Sequence, residues 1–309
     1  MRIAFAGTPE FAATILRNLI SSDHRVGLVI SQPDPRSGRG RKTTPTPVAE
    51  LARAASLPLL QPARISEAAS EISAHDALVV AAYGQLLRPD TLHAARKGAW
   101  NVHASLLPKY RGAAPVERAI MNGERRTGVT IMRMDEGLDT GPVALQRTVD
   151  IPPEMTGGEL AALLAQIGGK AVVEVLTALE AGTVTLTEQD GLHANIAPKL
   201  SGEDLIVSWD RAAKEVRDLV RALAPRIGAR TFHPEVEGPI KLWRAKVFGG
   251  RGLSLDAGHI HAENGRILVG CGIGIIEVLE LQIPGSKRLS ARDFLLGNTL
   301  SGAFVVYTH

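Results

Sequence analysis

A chain of 309 residues, 45% of them apolar, is longer than one hydrophobic core usually serves, so two domains are expected. Its single cysteine, Cys271, excludes an internal disulfide and a cysteine-cluster metal site, and reads as a small core residue in a reducing, cytoplasmic compartment. A net charge of +3 is too weak to argue nucleic-acid binding. Uninterrupted apolar runs such as 77–82 and 267–276 fall short of the roughly 20 residues of a membrane span, so no transmembrane helix is expected.

The amino terminus, MRIAFAGTPEF, has a four-residue apolar run and lacks the longer apolar core of a secretory signal. Arg2 to Ala6 reads as a buried strand closed by Gly7-Thr8-Pro9. Glu10 to Ile20 follows with Phe11, Ile15, Leu16 and Leu19 at helical spacing. Val26 to Ser31 predicts a second strand, Pro47 to Ala55 a helix, Ala77 to Ala82 a third strand, Gly98 to His103 a fourth and Val129 to Met134 a fifth. This alternation predicts a Rossmann-like α/β domain with a mostly parallel sheet over residues 1–188. Its first turn lacks the G-x-G-x-x-G fingerprint, which argues against a nicotinamide enzyme. Gly157 to Gly182 predicts a long helical segment bent at Gly168-Gly169. Beyond a short strand at Thr183 to Thr187, the polar stretch from Glu188 has no sustained period, and the linker is expected at 189–205. The remainder, 206–309, predicts one amphipathic helix, Arg211 to Leu223. Short β runs follow at 240–248, 259–261, 266–270, 273–282 and 303–307, separated by glycine-rich turns, as in a small OB-like β-barrel.

Two segments carry chemistry. In AWNVHASLLPKYRGAAP, Asn101 and His103 lie two positions apart on a strand and so share one face of the sheet. The Ser105-Leu106-Leu107-Pro108 turn follows at the carboxyl edge, where open α/β sheets bind ligands. In GVTIMRMDEGLDTGP, Asp139 sits in a glycine-bounded loop after a strand. Taken singly, an Asn, a His or an Asp-Thr-Gly turn has an ordinary structural explanation. Together they form an acyl-transfer set. The basic loop 31–47 intersperses Arg36, Arg39, Arg41 and Lys42 with Gly38 and Gly40, a pattern suited to ordering on phosphates and base edges.

The motifs AGTPEFA, GRGRK, VVAAYGQLLRP, NVHASLLPKYRGAAP, GVTIMRMDEGLDTG and APKL run the length of the chain, which resembles the methionyl-tRNA formyltransferase family. The resemblance implies a formyltransferase domain followed by a tRNA-binding barrel. It further implies transfer of the formyl group of 10-formyltetrahydrofolate to the α-amino group of methionine on the initiator tRNA, with no metal. Asn101 and His103 would donate to the oxyanion, and Asp139 would orient His103 or a water and help move the proton. Ser105, Leu106, Leu107, Pro108, Tyr83 and Leu86 would bind the folate. Arg36, Arg39, Arg41, Lys42 and Lys199 would meet the tRNA, along with basic residues between Arg211 and Lys246 that include Arg217 and Arg221. Ala224-Pro225-Arg226 and Ile196 depart from the family pattern and put particular tRNA contacts in doubt. Other readings are formylation of glycinamide ribonucleotide or an amino sugar, a hydrolase of formylfolate, and a noncatalytic RNA-binding module. A monomer is expected.

Overall fold

The computed structural model describes residues 1–37, 42–250 and 252–305. The chain divides into two compact units. One comprises residues 1–115, 126–150 and 161–198, the other 116–125, 151–160 and 199–309.

The first unit opens with β1 (Arg2–Gly7), α1 (Glu10–Ile20) and β2 (Arg25–Ile30). The basic loop is pinched at its base by β3 (Arg36–Ser37) and β4 (Lys42–Thr43), which pair antiparallel. Next come α2 (Pro47–Ala54), β5 (Leu59–Leu60), α3 (Ala69–Ser73), β6 (Ala77–Ala81), α4 (Pro89–Leu92) and β7 (Ala99–His103). Local chemistry explains a boundary: Thr46 Oγ1 accepts the Ala49 N–H at 3.1 Å, with Pro47 opening the first turn of α2. After α5 (Pro115–Met121), β8 (Arg126–Arg133) and β9 (Val143–Asp150) complete a seven-stranded sheet of order β5-β2-β1-β6-β7-β8-β9. Strands are parallel from β5 to β7, and β8 and β9 run antiparallel. The order reverses at β1, so the loops after β1 and β6 open a crevice at their carboxyl ends. They are tied there: Thr8 Oγ1 and Gln32 Nε2 both donate to the Tyr83 carbonyl, at 3.1 and 3.2 Å.

The long helix α6 (Gly157–Ala181) is continuous, so the expected bend at Gly168-Gly169 does not occur. Both glycines serve close packing instead. A Cβ on Gly168 would stand 2.7 Å from Val102 Cγ1, and one on Gly169 2.6 Å from the Asn18 side chain. By length and composition α6 could cross a membrane, contrary to the expectation from apolar runs; half of that apolar window is buried, and these contacts are those of a core helix. The expected strand at Thr183 to Thr187 reduces to a single bridge from Thr187 to Val143. Residues 189–198, read as part of a linker, belong to the first unit.

In the second unit, α7 (Ala213–Leu223) precedes β10 (Ala229–His233), β11 (Val236–Val247), β12 (Ile260–Glu263), β13 (Arg266–Gly270), β14 (Ile275–Gln282) and β15 (Leu289–Ser290), then α8 (Ala291–Leu295). The sheet is antiparallel, in the order β10-β11-β14-β13-β12 with β15 beside β14. Among the described residues no ladder joins β10 to β12, and the run expected at 303–307 contributes a bridge from Ala303 to His259. Trp209 stacks on Phe304 with centroids 5.2 Å apart and donates to Thr231 Oγ1 at 2.9 Å, which satisfies its buried indole N–H. Cys271 lies in this core, and burial pushes its thiol up to about 12, as suits a packing residue and not a nucleophile.

Candidate active site

Strand β7 is a partition. Val102 faces α6, while Asn101 and His103 project from the opposite face. The chain leaves β8 beside the start of β7, where Met134 N–H donates to the Ala99 carbonyl, and then folds back so that Asp139 meets the two side chains. Asn101 Nδ2 donates to Asp139 Oδ1 at 3.2 Å, and His103 Nδ1 stands 3.6 Å from Asp139 Oδ2. The three residues read from the sequence are thus one cluster. His103 is 6% exposed and the Asp139 side chain 13%, so water screens little between the two groups.

The opposite edge of the imidazole fixes its tautomer. His103 Nε2 lies 2.9 Å from the Tyr110 carbonyl oxygen, which can only accept, so Nε2 carries a hydrogen. In the neutral ring Nδ1 therefore bears a lone pair and gains a proton only as imidazolium, facing Asp139, so the neutral ring has no free N–H for an oxyanion, contrary to the expectation from the sequence.

Asp139 is held from several sides. It adopts φ +52°, a left-handed conformation for a residue with a Cβ. Its Oδ2 accepts the Gly112 N–H at 2.8 Å, and Gly112 itself has φ +117°. A side chain at Gly112 would be strained by that φ and would bring its Cβ to 2.8 Å from the Ala197 carbonyl oxygen. Gln189 Nε2 donates to the carbonyls of Asp139 and Gly141, at 2.8 and 2.7 Å, while its Oε1 accepts from Arg111 Nε and Nη2 at 3.2 and 2.7 Å. Tyr110 N–H donates to Asn195 Oδ1, and Arg111 pairs its backbone with Asn195 and Ala197. Sequence reasoning missed Arg111, Gly112, Gln189 and Asn195. They lie in a loop and in an aperiodic polar stretch, where periodicity gives no signal.

The residues expected to bind folate divide. Ser105 is fully buried with its hydroxyl donating to the Lys109 carbonyl at 2.6 Å, and Leu107 is buried with its N–H on Thr130 Oγ1 at 3.1 Å. Leu106 and Pro108 are half-buried. Tyr83 is buried at the crevice, its hydroxyl without a partner among the described residues, and burial followed by the nearby Glu67 charge pushes it up to about 12. Leu86, on the loop after β6, is 82% exposed.

Of the expected tRNA contacts, Arg39 and Arg41 lie outside the described residues, Arg36 pairs with Thr43 and Lys42 with Ser37 across β3 and β4, and Lys199 is exposed. Arg217 and Arg221 are committed within the second unit. Both bind Asp218 Oδ1 at 2.7 Å, and Arg221, 8% exposed, also donates to the Met155 carbonyl. Among the described residues no three His, Cys, Asp or Glu side chains gather as a metal site would require.

An α/β unit in which Asn101 and His103 on one strand meet Asp139 from a loop, followed by an antiparallel unit, is an arrangement suited to acyl transfer. The chain belongs to the formyl transferase family, whose model matches residues 1–176, with the family's C-terminal domain model matching 199–299. It is 67% identical over 303 residues to a methionyl-tRNA formyltransferase of Rubrobacter xylanophilus, covering 98% of this chain and 99% of that one. A methionyl-tRNA formyltransferase of Pelotomaculum thermopropionicum is 42% identical over 313 residues, covering 99% and 98%. Among solved structures, HypX from Aquifex aeolicus in complex with tetrahydrofolic acid has the same fold, with TM-score 0.68, 19% identity, and coverage of 96% of this chain and 47% of that one.

Proposed function

We propose that this chain transfers the formyl group of 10-formyltetrahydrofolate to the free α-amino group of methionine esterified to the initiator tRNA. The observation that carries the reading is the convergence of Asn101 Nδ2 and His103 Nδ1 on the two carboxylate oxygens of Asp139. Relatives named for this reaction support it at full length.

The neutral amine attacks the formyl carbon, and the carbonyl π electrons move to oxygen. Asn101 spends one of its two amide hydrogens on Asp139, which leaves the second for the oxyanion. Such a donor contributes about 3 kcal/mol to a developing oxyanion. The new nitrogen is cationic and must lose a proton before the folate nitrogen leaves. His103 Nδ1 has the free lone pair to take it, Asp139 stabilises the imidazolium so formed, and Nδ1 returns the proton to the departing folate nitrogen as the carbon–nitrogen bond breaks. An α-amino group titrates at roughly 8, so a substantial share is already nucleophilic near neutrality.

The donor lies in the crevice after β1 and β6, beside Tyr83 and the exposed Leu86, with Leu106 and Pro108 from the turn after β7. Ser105 and Leu107 shape that turn from within. The basic segment 31–47 with Arg36, Arg39, Arg41 and Lys42, together with Lys199, engages the tRNA through phosphate contacts.

The test is a formyl transfer assay with 10-formyltetrahydrofolate and charged initiator tRNA, run beside charged elongator tRNA, free methionine and glycinamide ribonucleotide. Selective formylation of the charged initiator is expected; activity confined to a small amine overturns the acceptor. Replacing Arg39 and Arg41 together by Ala should raise KM for tRNA and flatten its salt dependence while leaving the KM for folate unchanged.

A further inference from the structure

We infer that Gln189 is a positioning residue for the transfer: with Arg111 it forms a brace that fixes the backbone at Asp139 and just beyond it and so aims the carboxylate at His103. The inference rests on the reading of Asp139 as part of the reacting site.

Asp139 occupies a backbone region that a residue with a Cβ keeps only when its surroundings over-determine it. The loop from 134 to 142 supplies internal ties through Asp135, whose carboxylate accepts from Thr140 Oγ1 and from Gly137 N–H, but none of these reaches the Asp139 peptide. Gln189 does. One amide nitrogen donates to the carbonyls of residues 139 and 141, which flank Thr140. Its amide oxygen is in turn held by two nitrogens of one guanidinium, a planar fork that leaves the side chain little rotational freedom. That guanidinium belongs to Arg111, whose neighbour Gly112 donates to Asp139 Oδ2. The circuit therefore closes on the same residue from two directions, through its carbonyl and through its carboxylate. Arg111 is itself anchored by backbone bonds to Asn195 and Ala197, in the same stretch that carries Gln189. The aperiodic segment 189–197 is thereby a rigid buttress of the site.

The gap from His103 Nδ1 to Asp139 Oδ2, 3.6 Å, is already beyond hydrogen-bond length, so a further drift would remove the interaction that forms with the imidazolium. A misplacement of about 1 Å in a reacting group can cost on the order of 100-fold in rate.

The informative variants are Gln189→Glu and Gln189→Ala in the full chain. Glu keeps the length and the Arg111 partner, so the fold is retained, but a carboxylate cannot donate to two carbonyls. Formyl transfer from 10-formyltetrahydrofolate to methionyl-tRNA is measured for both, for Asp139→Ala, and for the double variant Asp139→Ala/Gln189→Glu, with circular dichroism and melting as the fold control. Each Gln189 variant should lose about 10- to 100-fold in kcat, with both KM values within about twofold of the parent, and the double variant should be no slower than Asp139→Ala alone. A kcat within about twofold of the parent in either variant, a loss confined to KM, or a loss that multiplies fully onto Asp139→Ala overturns the brace while leaving Asp139 in place. Near-normal turnover of Asp139→Ala overturns the brace by a different route, by removing Asp139 from the reaction.

Discussion

Replacing Gly168 by Ala sets two effects against each other, and the geometry decides between them. In the interior of α6, Ala is favoured over Gly by about 0.8 to 1 kcal/mol through helix propensity alone. The added Cβ, however, would stand 2.7 Å from Val102 Cγ1 and 3.3 Å from Val129 Cγ1. Carbon atoms pack at about 3.5 Å or more, so the helix or the sheet must open by about 0.8 Å. Neither valine can readily turn away, because β-branched side chains are confined at χ1 and both sit in fully formed strands. Overpacking of this kind costs about 1 to 3 kcal/mol, which exceeds the propensity gain and leaves a net loss of about 1 kcal/mol. Melting followed by far-ultraviolet circular dichroism should show a midpoint lower by about 2 to 4 °C. Since Val102 lies between Asn101 and His103, the same shift reaches the site face of β7, and turnover should fall with KM little changed. A variant that melts at or above the parent temperature would show that α6 is not pressed on Val102, and the packing account would fail.

Asn101→Ala removes one oxyanion donor and should lower kcat by about 100- to 1000-fold in a steady-state assay; a loss below tenfold would take Asn101 out of the transition state. Arg118 grips Asp204 with two bonds of 2.6 and 2.8 Å, and this hydrogen bonding, assisted by the Ser201 N–H and hydroxyl, outweighs burial and draws the carboxyl from 3.8 down to about 2. A depressed folded value means stability present above the unfolded value and lost as pH falls from about 4 through 2, with about 2 kcal/mol at stake. Denaturation of Asp204→Asn should therefore match the parent near pH 2 and fall short of it at pH 7; a constant gap at both would refute the linkage. Cys271, buried and with its thiol held up to about 12, should resist alkylation at pH 8 in the native chain and react on unfolding, whereas rapid native labelling would contradict its placement.

What the sequence revealed follows the range of the forces involved. Local periodicity located α1 to the residue and most parallel strands within one or two, because a fully buried parallel strand is an unbroken apolar run. Strand β9 gave no such signal: it is an edge strand with the exposed polar residues Gln146, Arg147 and Thr148 at its middle. The two glycines of α6 have the composition of a bend, and only the tertiary contacts with Val102 and Asn18 show that they mark close approach. The site divides in the same way. Asn101 and His103 are legible because strand geometry puts alternate residues on one face. Asp139 needed its motif, since the loop that carries it is held by bonds to Gln189, 50 and 48 positions away in the chain.

That division bears on how the chemistry is tuned. Asn101 and His103 are aimed by a strand locked between β6 and β8, and their geometry is as stiff as the sheet. The carboxylate they share is delivered by a loop, and loops hold strained backbone only under external constraint. Here the constraint comes from Gln189 and Arg111, which hold the loop backbone, and from Gly112, whose N–H binds the carboxylate itself. The His103–Asp139 separation therefore depends on contacts from the segment whose sequence carries no periodic pattern.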